Sequence, residues 1–146
     1  MRFMVIVKAS KASEAGVLPS QKAIEEMGKY YEELMKSGAL LAAEGLLASS
    51  KGKRVRLSGA SRTVIDGPFT ETKELIAGFC LLQLRSMEEA IEWVKRGPNP
   101  PDAEETEVEI RQVFEAVELA AEATPEFQEK LMDRKERLRA QAEKKA

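Results

Sequence analysis

A chain of 146 residues, 43% hydrophobic and 33% charged, holds enough material for one soluble domain with at most an appendage. Its formal net charge of −2 speaks against general nucleic-acid binding, and no apolar run approaches the roughly 20 residues that span a bilayer. With no histidine and a single cysteine, Cys80, the chain has no internal disulfide and no Cys–His or Ser–His nucleophile pair, and a zinc ion would lack its commonest nitrogen ligand.

The N-terminal stretch Met1–Lys8 has too short an apolar run for a secretion signal and lacks a cleavage-site pattern. A cytoplasmic location is the expectation. Phe3–Lys8 reads as a strand, with Phe3, Val5 and Val7 on one face and Met4 and Ile6 on the other. Lys11–Pro19 is expected to be a loop. Ser20 caps a helix running to about Ser37, in which Ile24, Met27, Tyr31 and Leu34 recur at helical spacing and face a core. Gly38 stops it. Leu40–Leu47 and Arg54–Leu57 read as strands, and Ser58–Ser61 turns the chain into a further strand, Arg62–Ile65. After the loop Asp66–Glu74 comes the strongest strand, Ile76–Leu84, apolar on both faces. Ser86 opens a second helix with a capping box to Glu89 and an apolar stripe of Met87, Ala90, Ile91 and Val94. Gly97–Pro101 breaks the chain, and Glu107–Phe114 alternates as a last strand. Thr124-Pro125-Glu126 then starts a terminal helix, expected over Pro125–Lys145, with a thin stripe of Phe127, Leu131 and Leu138.

The element order is β-α-β-(β-β)-β-α-β. Without the middle pair it is the βαββαβ pattern of a ferredoxin-like fold. The expectation is therefore an α+β, ferredoxin-like sandwich over residues 1–114 with an inserted β-hairpin, followed by a helical extension over 115–146. Two helices cover only one face of such a sheet. A strand apolar on both faces needs a second cover, which predicts a homodimer through the sheet faces.

The candidate site is the loop Asp66-Gly67-Pro68-Phe69-Thr70-Glu71-Thr72-Lys73-Glu74. It is longer than the roughly two to five residues that a hairpin connection needs. Asp-Gly marks a tight turn, Gly67 tolerates backbone angles that other residues resist, and Pro68 fixes its own φ. Two readings stand side by side. Either Asp66 caps a turn and its neighbours are solvated, or Asp66, Glu71, Lys73 and Glu74 hold a polar ligand or move a proton. Glu44 is a lone carboxylate in the apolar run Leu40–Leu47, at a strand end facing water or drawn into a pocket; Gly45 beside it suggests a bulge or a close backbone approach. Arg54 and Arg56 share one strand face, which reads as solvated rather than as a phosphate contact. Trp93 and Cys80 read as core residues. The residue set calls for no metal and no cofactor.

The motif Asp66-Gly67-Pro68-Phe69-x-Glu71-x-Lys73-Glu74 resembles that of the DGPF-type proteins of the YCII-related family. The likeness extends to Met1–Met4, Glu44-Gly45-Leu46, Arg62–Ile65 and Glu89-Ala90-x-Glu92-Trp93, and so covers residues 1 to about 114. The resemblance implies a ferredoxin-like subunit paired into a dimeric α/β barrel. Relatives are small bacterial proteins of mostly unassigned activity, some encoded beside or fused to sigma factors. A His–Asp pair has been proposed as catalytic in the wider family. Without a histidine that mechanism cannot carry over; Asp66 alone matches the motif's acid.

Two functions follow as expectations. The first is a small-molecule-binding or enzyme-like homodimer whose cleft is built around the loop. Asp66 would be its general acid or base, Lys73 would hold a small anionic or polar ligand, Glu71 would orient Lys73, and Phe69 and Glu44 would line the cleft. The second is a non-catalytic regulatory module, acting through the terminal helix and tied to transcription by sigma factors. Neither involves a membrane or direct contact with nucleic acid.

Overall fold

The computed structural model describes residues 1–99, 105–115, 118 and 123–144. The chain divides into two units, Met1–Gln112 and Val113–Ala146. In the first, the strands are β1 (Arg2–Lys8), β2 (Leu40–Gly45), β3 (Lys53–Ser58), β4 (Ser61–Asp66), β5 (Ile76–Gln83) and β6 (Val108–Gln112). The helices are α1 (Lys11–Glu14), α2 (Gln21–Lys36) and α3 (Met87–Lys95). Four strands form one antiparallel sheet in the order β2-β5-β1-β6. With β3 and β4 set aside this is the strand order of the ferredoxin-like fold. β3 and β4 form a separate two-stranded ribbon, paired from Lys53↔Asp66 to Ser58↔Ser61.

Alternation along the strands sorts side chains onto the two sheet faces. Phe3 and Val5 of β1 and Cys80 and Leu82 of β5 point to the helix-covered side and join Leu34 of α2 and Ala90 of α3 in one buried cluster. Met4, Ile6, Phe79 and Leu81 occupy the opposite face and are each partly exposed. Strand-by-strand pairing, Val5 opposite Cys80 and Phe3 opposite Leu82, puts the largest apolar groups side by side.

Four sequence expectations change in three dimensions. Lys11–Pro19 is not all loop: Lys11–Glu14 makes one helical turn, because Ser10 and Ser13 each accept the other's backbone N–H, at 3.1 and 2.9 Å. A turn that short has no 3.6-residue periodicity to read. On α2 the buried face runs through Ala23, Met27, Tyr30 and Leu34, so Ile24 is turned outward at 58% exposure while Ala23 is 9% exposed. The larger side chain marked the wrong neighbour, about 100° round the helix. The capping box of α3 is half formed. Ser86 Oγ accepts from the Glu89 N–H at 3.2 Å, but the Glu89 carboxylate turns back to the N–H and guanidinium of Arg85. Finally, β2 has an irregularity between Leu40 and Ala42, and the close approach beside it falls at Gly78 rather than Gly45: a Cβ on Gly78 would lie 2.8 Å from the Glu44 carbonyl oxygen.

Gly38 ends α2 with a left-handed φ of 73°, as its place after the last helical turn predicts. Within the predicted break after α3, Pro100 and Pro101 lie outside the described residues. Cys80 is buried, and loss of solvation pushes its thiol pKa up to about 11. The thiol is therefore expected to be inert to iodoacetamide at pH 8 in the folded protein and to react within minutes in 6 M guanidinium, as mass spectrometry would show.

In the second unit, α4 (Pro125–Glu143) has Pro125 at its first position, where the missing N–H has no helical partner to lose. Lys145 lies outside the described residues. Phe127 and Leu138 are exposed and Leu131 is partly so, a narrow stripe on a polar helix. No helix among the described residues is long and apolar enough to cross a membrane.

Candidate functional site

The loop after β4 is fastened to the molecule by contacts that a plain turn does not need. α1 presents Glu14, whose carboxylate accepts from the Ser49 N–H at 3.0 Å and from the Ser49 hydroxyl. Ser49 opens a single helical turn, Ser49–Lys51, in the stretch between β2 and β3. Its hydroxyl oxygen in turn accepts from the backbone N–H of Phe69 at 3.1 Å. The Gly67 N–H donates to the Gly52 carbonyl at 3.1 Å. A chain of hydrogen bonds, Glu14 to Ser49 to Phe69, thus positions the loop from a helix 55 residues earlier in sequence.

Gly67 is required here by space. Its φ is not in the left-handed region, contrary to the expectation of special backbone angles. A Cβ at this position would stand 1.8 Å from the Ser49 carbonyl oxygen and 2.7 Å from its carbon. The Gly67–Pro68 peptide bond is cis.

Two of the five sequence-predicted site residues come together. Asp66, the last residue of β4, and Phe69 both line an open cleft of about 560 Å³, with Pro68 and Thr70 from the loop and Arg54, Val55, Arg56 and Ile65 from the ribbon. Asp66 forms an ion pair with Lys53, directly opposite it across the ribbon. Both side chains are largely exposed, so the pair contributes at most about 1 kcal/mol to stability. The guanidinium of Arg54 lies 4.0 Å above the centre of the Phe69 ring, within the range of a cation–π contact. Glu71 and Lys73 are exposed further along the loop, Glu44 is exposed on β2 opposite Phe79, and none of the three lines the cleft. Among the described residues, no group of three or more His, Cys, Asp or Glu side chains converges as a metal site.

Sequence reasoning missed Glu14 and Ser49, which hold the loop, and set Arg54 and Arg56 aside as a solvated face. The alternation of Arg54 and Arg56 with Val55 and Leu57 was visible. That the ribbon would place Arg54 on the Phe69 ring, with Arg56 in the same cleft, was not, because that contact joins segments with a turn and a strand between them.

The strand order, the inserted ribbon and the locked Asp-Gly-Pro-Phe loop define a ferredoxin-like α+β domain with a lateral cleft. The chain belongs to the YCII-related family, whose domain profile matches residues 1–117. An uncharacterized protein of Rhizobium meliloti (strain 1021) is 27% identical over 75 residues. That match spans 51% of this chain and 60% of the relative's length. Among solved structures, 5-chloro-2-hydroxyhydroquinone dehydrochlorinase of Burkholderia phenoliruptrix AC1100, in complex with 2,5-dihydroxybenzoquinone, is similar with a TM-score of 0.40 and 17% identity, over 75% of this chain and 91% of that one.

Proposed function

We propose that this protein binds a small molecule in the cleft between the β3–β4 ribbon and the Asp66–Thr70 loop, and does so as an enzyme-like homodimer. The observation that carries the reading is the loop's attachment. Ser49, Glu14 and Gly52 hold the backbone at Gly67 and Phe69, and the held loop lines a cleft of about 560 Å³. That volume is in the range of small-molecule sites, about 300–1,000 Å³. A preorganised loop lowers the entropy lost on binding. If a reaction follows, Asp66 is the group at the cleft able to take or give a proton. In this reading Asp66 and Phe69 are the members of the five-residue set that face the ligand, and Lys73, Glu71 and Glu44, which do not line the cleft, take no part in binding.

The test is a thermal-shift screen of a metabolite library against the wild-type protein and Phe69→Ala. A true site ligand at a hundred times its Kd adds about 2.7 kcal/mol, which raises Tm by several degrees. The rise should disappear in Phe69→Ala. A library without a hit, or hits indifferent to Phe69, would shift the reading to a non-catalytic interaction module.

The uncovered sheet face supports the homodimer in this reading. α2 and α3 pack on one sheet face, and Met4, Ile6, Phe79 and Leu81 lie on the other. In the proposed dimer each subunit covers that face for its partner, and α4 packs against the partner through Phe127, Leu131 and Leu138. Such a helix is marginal alone in water. Truncation after Ala123 is then expected to lower Tm by several degrees and to raise the dimer dissociation constant at least tenfold, about 1.4 kcal/mol. Calorimetry and analytical ultracentrifugation of the two forms would check both.

A further inference from the structure

We infer that the cleft takes an amphiphilic oxyanion, a molecule with a carboxylate or phosphate head and a short apolar body, and that Arg54 and Arg56 hold the head. The inference rests on the proposed small-molecule reading and adds the ligand's chemistry and the residues that recognise it.

Three observations lead there. Arg54 and Arg56 are two residues apart on β3, opposite Ile65 and Thr63, and therefore share a face of the ribbon. Their Cα atoms are about 7 Å apart, a spacing that lets two guanidinium groups reach one oxyanion. Both line the cleft. The negative charge at the cleft, Asp66, is already matched by Lys53. Among the described residues neither Arg54 nor Arg56 is in an ion pair, so the cleft keeps two unmatched positive charges. Arg54 is also restrained. Its guanidinium rests on Phe69, and the Phe69 backbone is held by Ser49. A flat, stacked guanidinium leaves its edge donors free for a bidentate contact with an oxyanion. The apolar part of the wall is Ile65, on the arginines' own ribbon face, with Pro68 and Phe69 of the loop and Thr70 beside them, which suits an apolar body.

A series with a common short alkyl body and different heads separates the contributions: hexanoate, hexyl phosphate, hexanol and hexylammonium, each titrated into the ¹⁵N-labelled full chain at low and moderate salt. Binding is read from the amide signals of Phe69 and Thr70 and the side-chain Nε–H signals of Arg54 and Arg56. The expected result is that hexanoate or hexyl phosphate binds, salt weakens it, and hexanol and hexylammonium bind at least tenfold more weakly. The stronger of the two anions identifies the head group. Arg54→Gln and Arg56→Gln should each weaken the anion about tenfold, as loss of a charge-assisted hydrogen bond does. Lys73→Gln should leave it within about twofold, the scale expected for an exposed charge outside the contact. Unchanged Arg54 and Arg56 signals on anion addition, equal binding of hexanol, or loss of binding in Lys73→Gln alone would overturn the inference. The parent reading fails differently: no member of the series and no library compound would move the Phe69 and Thr70 signals. If neutral compounds move them and anions do not, the cleft is a binding site and only the oxyanion assignment falls.

Discussion

Replacing Gly67 by alanine is expected to release the Asp66–Thr70 loop from the Ser49 turn. The new Cβ would meet the Ser49 carbonyl oxygen at 1.8 Å and its carbon at 2.7 Å. Both atoms are backbone, so no side chain can swing away. The two segments must part by more than 1 Å, and overpacking of this kind costs about 1–3 kcal/mol, at times more. Parting them also breaks the Phe69 N–H contact to Ser49 and the Gly67 N–H contact to Gly52, now at 3.1 Å each. The urea midpoint should fall, and the Phe69 amide should lose its protection in hydrogen exchange. Gly38 provides the control. It has a φ of 73° but open space around it, so Gly38→Asn is expected to be nearly neutral, since asparagine tolerates that backbone conformation. Gly67→Asn, in contrast, should be at least as damaging as Gly67→Ala. Unchanged exchange at Phe69 in Gly67→Ala would show that the Ser49 contact does not hold the loop.

The second large effect comes from placing one lysine on either side of the β5 strand. Leu82 has no exposed surface and sits among Phe3, Leu34 and Ala90. Leu82→Lys buries an ammonium without a partner. An uncompensated buried charge costs about 3–5 kcal/mol, against a total of about 5–15 kcal/mol for a typical domain. The variant is expected to be largely unfolded or insoluble. Phe79 lies on the opposite face and is only partly exposed. There a lysine can reach water in the isolated subunit, so Phe79→Lys should fold. In the proposed dimer the same charge is trapped between subunits. Light scattering at micromolar concentration is therefore expected to find a wild-type dimer and a Phe79→Lys monomer with native circular dichroism. A wild-type monomer, or a Phe79→Lys dimer as tight as wild type, would remove the sheet face as the interface.

Much of this molecule was legible in local pattern. The two-sided apolar runs of β1 and β5, the Ser20 cap and Gly38 stop of α2, the Ser58–Ser61 turn and the Pro125 start of α4 each depend on residues within a few positions of one another. Periodicity and capping report such relations directly. The βαββαβ element order likewise pointed to the ferredoxin-like fold, and the sheet has that fold's strand order, β2-β5-β1-β6. Tertiary structure decided the rest. Ile24 against Ala23 was settled by which side of α2 the sheet approached. Glu14, Ser49 and Phe69 are brought together by three separate segments, and no spacing along the chain encodes their contact. The requirement for Gly67 is an effect of Ser49 lying against it, invisible until both backbones are placed. The same holds for charge. In the sequence Asp66 is an acid in a charged loop, and Arg54 and Arg56 are an exposed basic strand. In the fold, Lys53 opposite Asp66 matches the acid, Arg54 rests on the Phe69 ring, and both arginines line the cleft. Composition sets how many charges the chain carries; only the pairing of distant segments decides which of them remain unmatched.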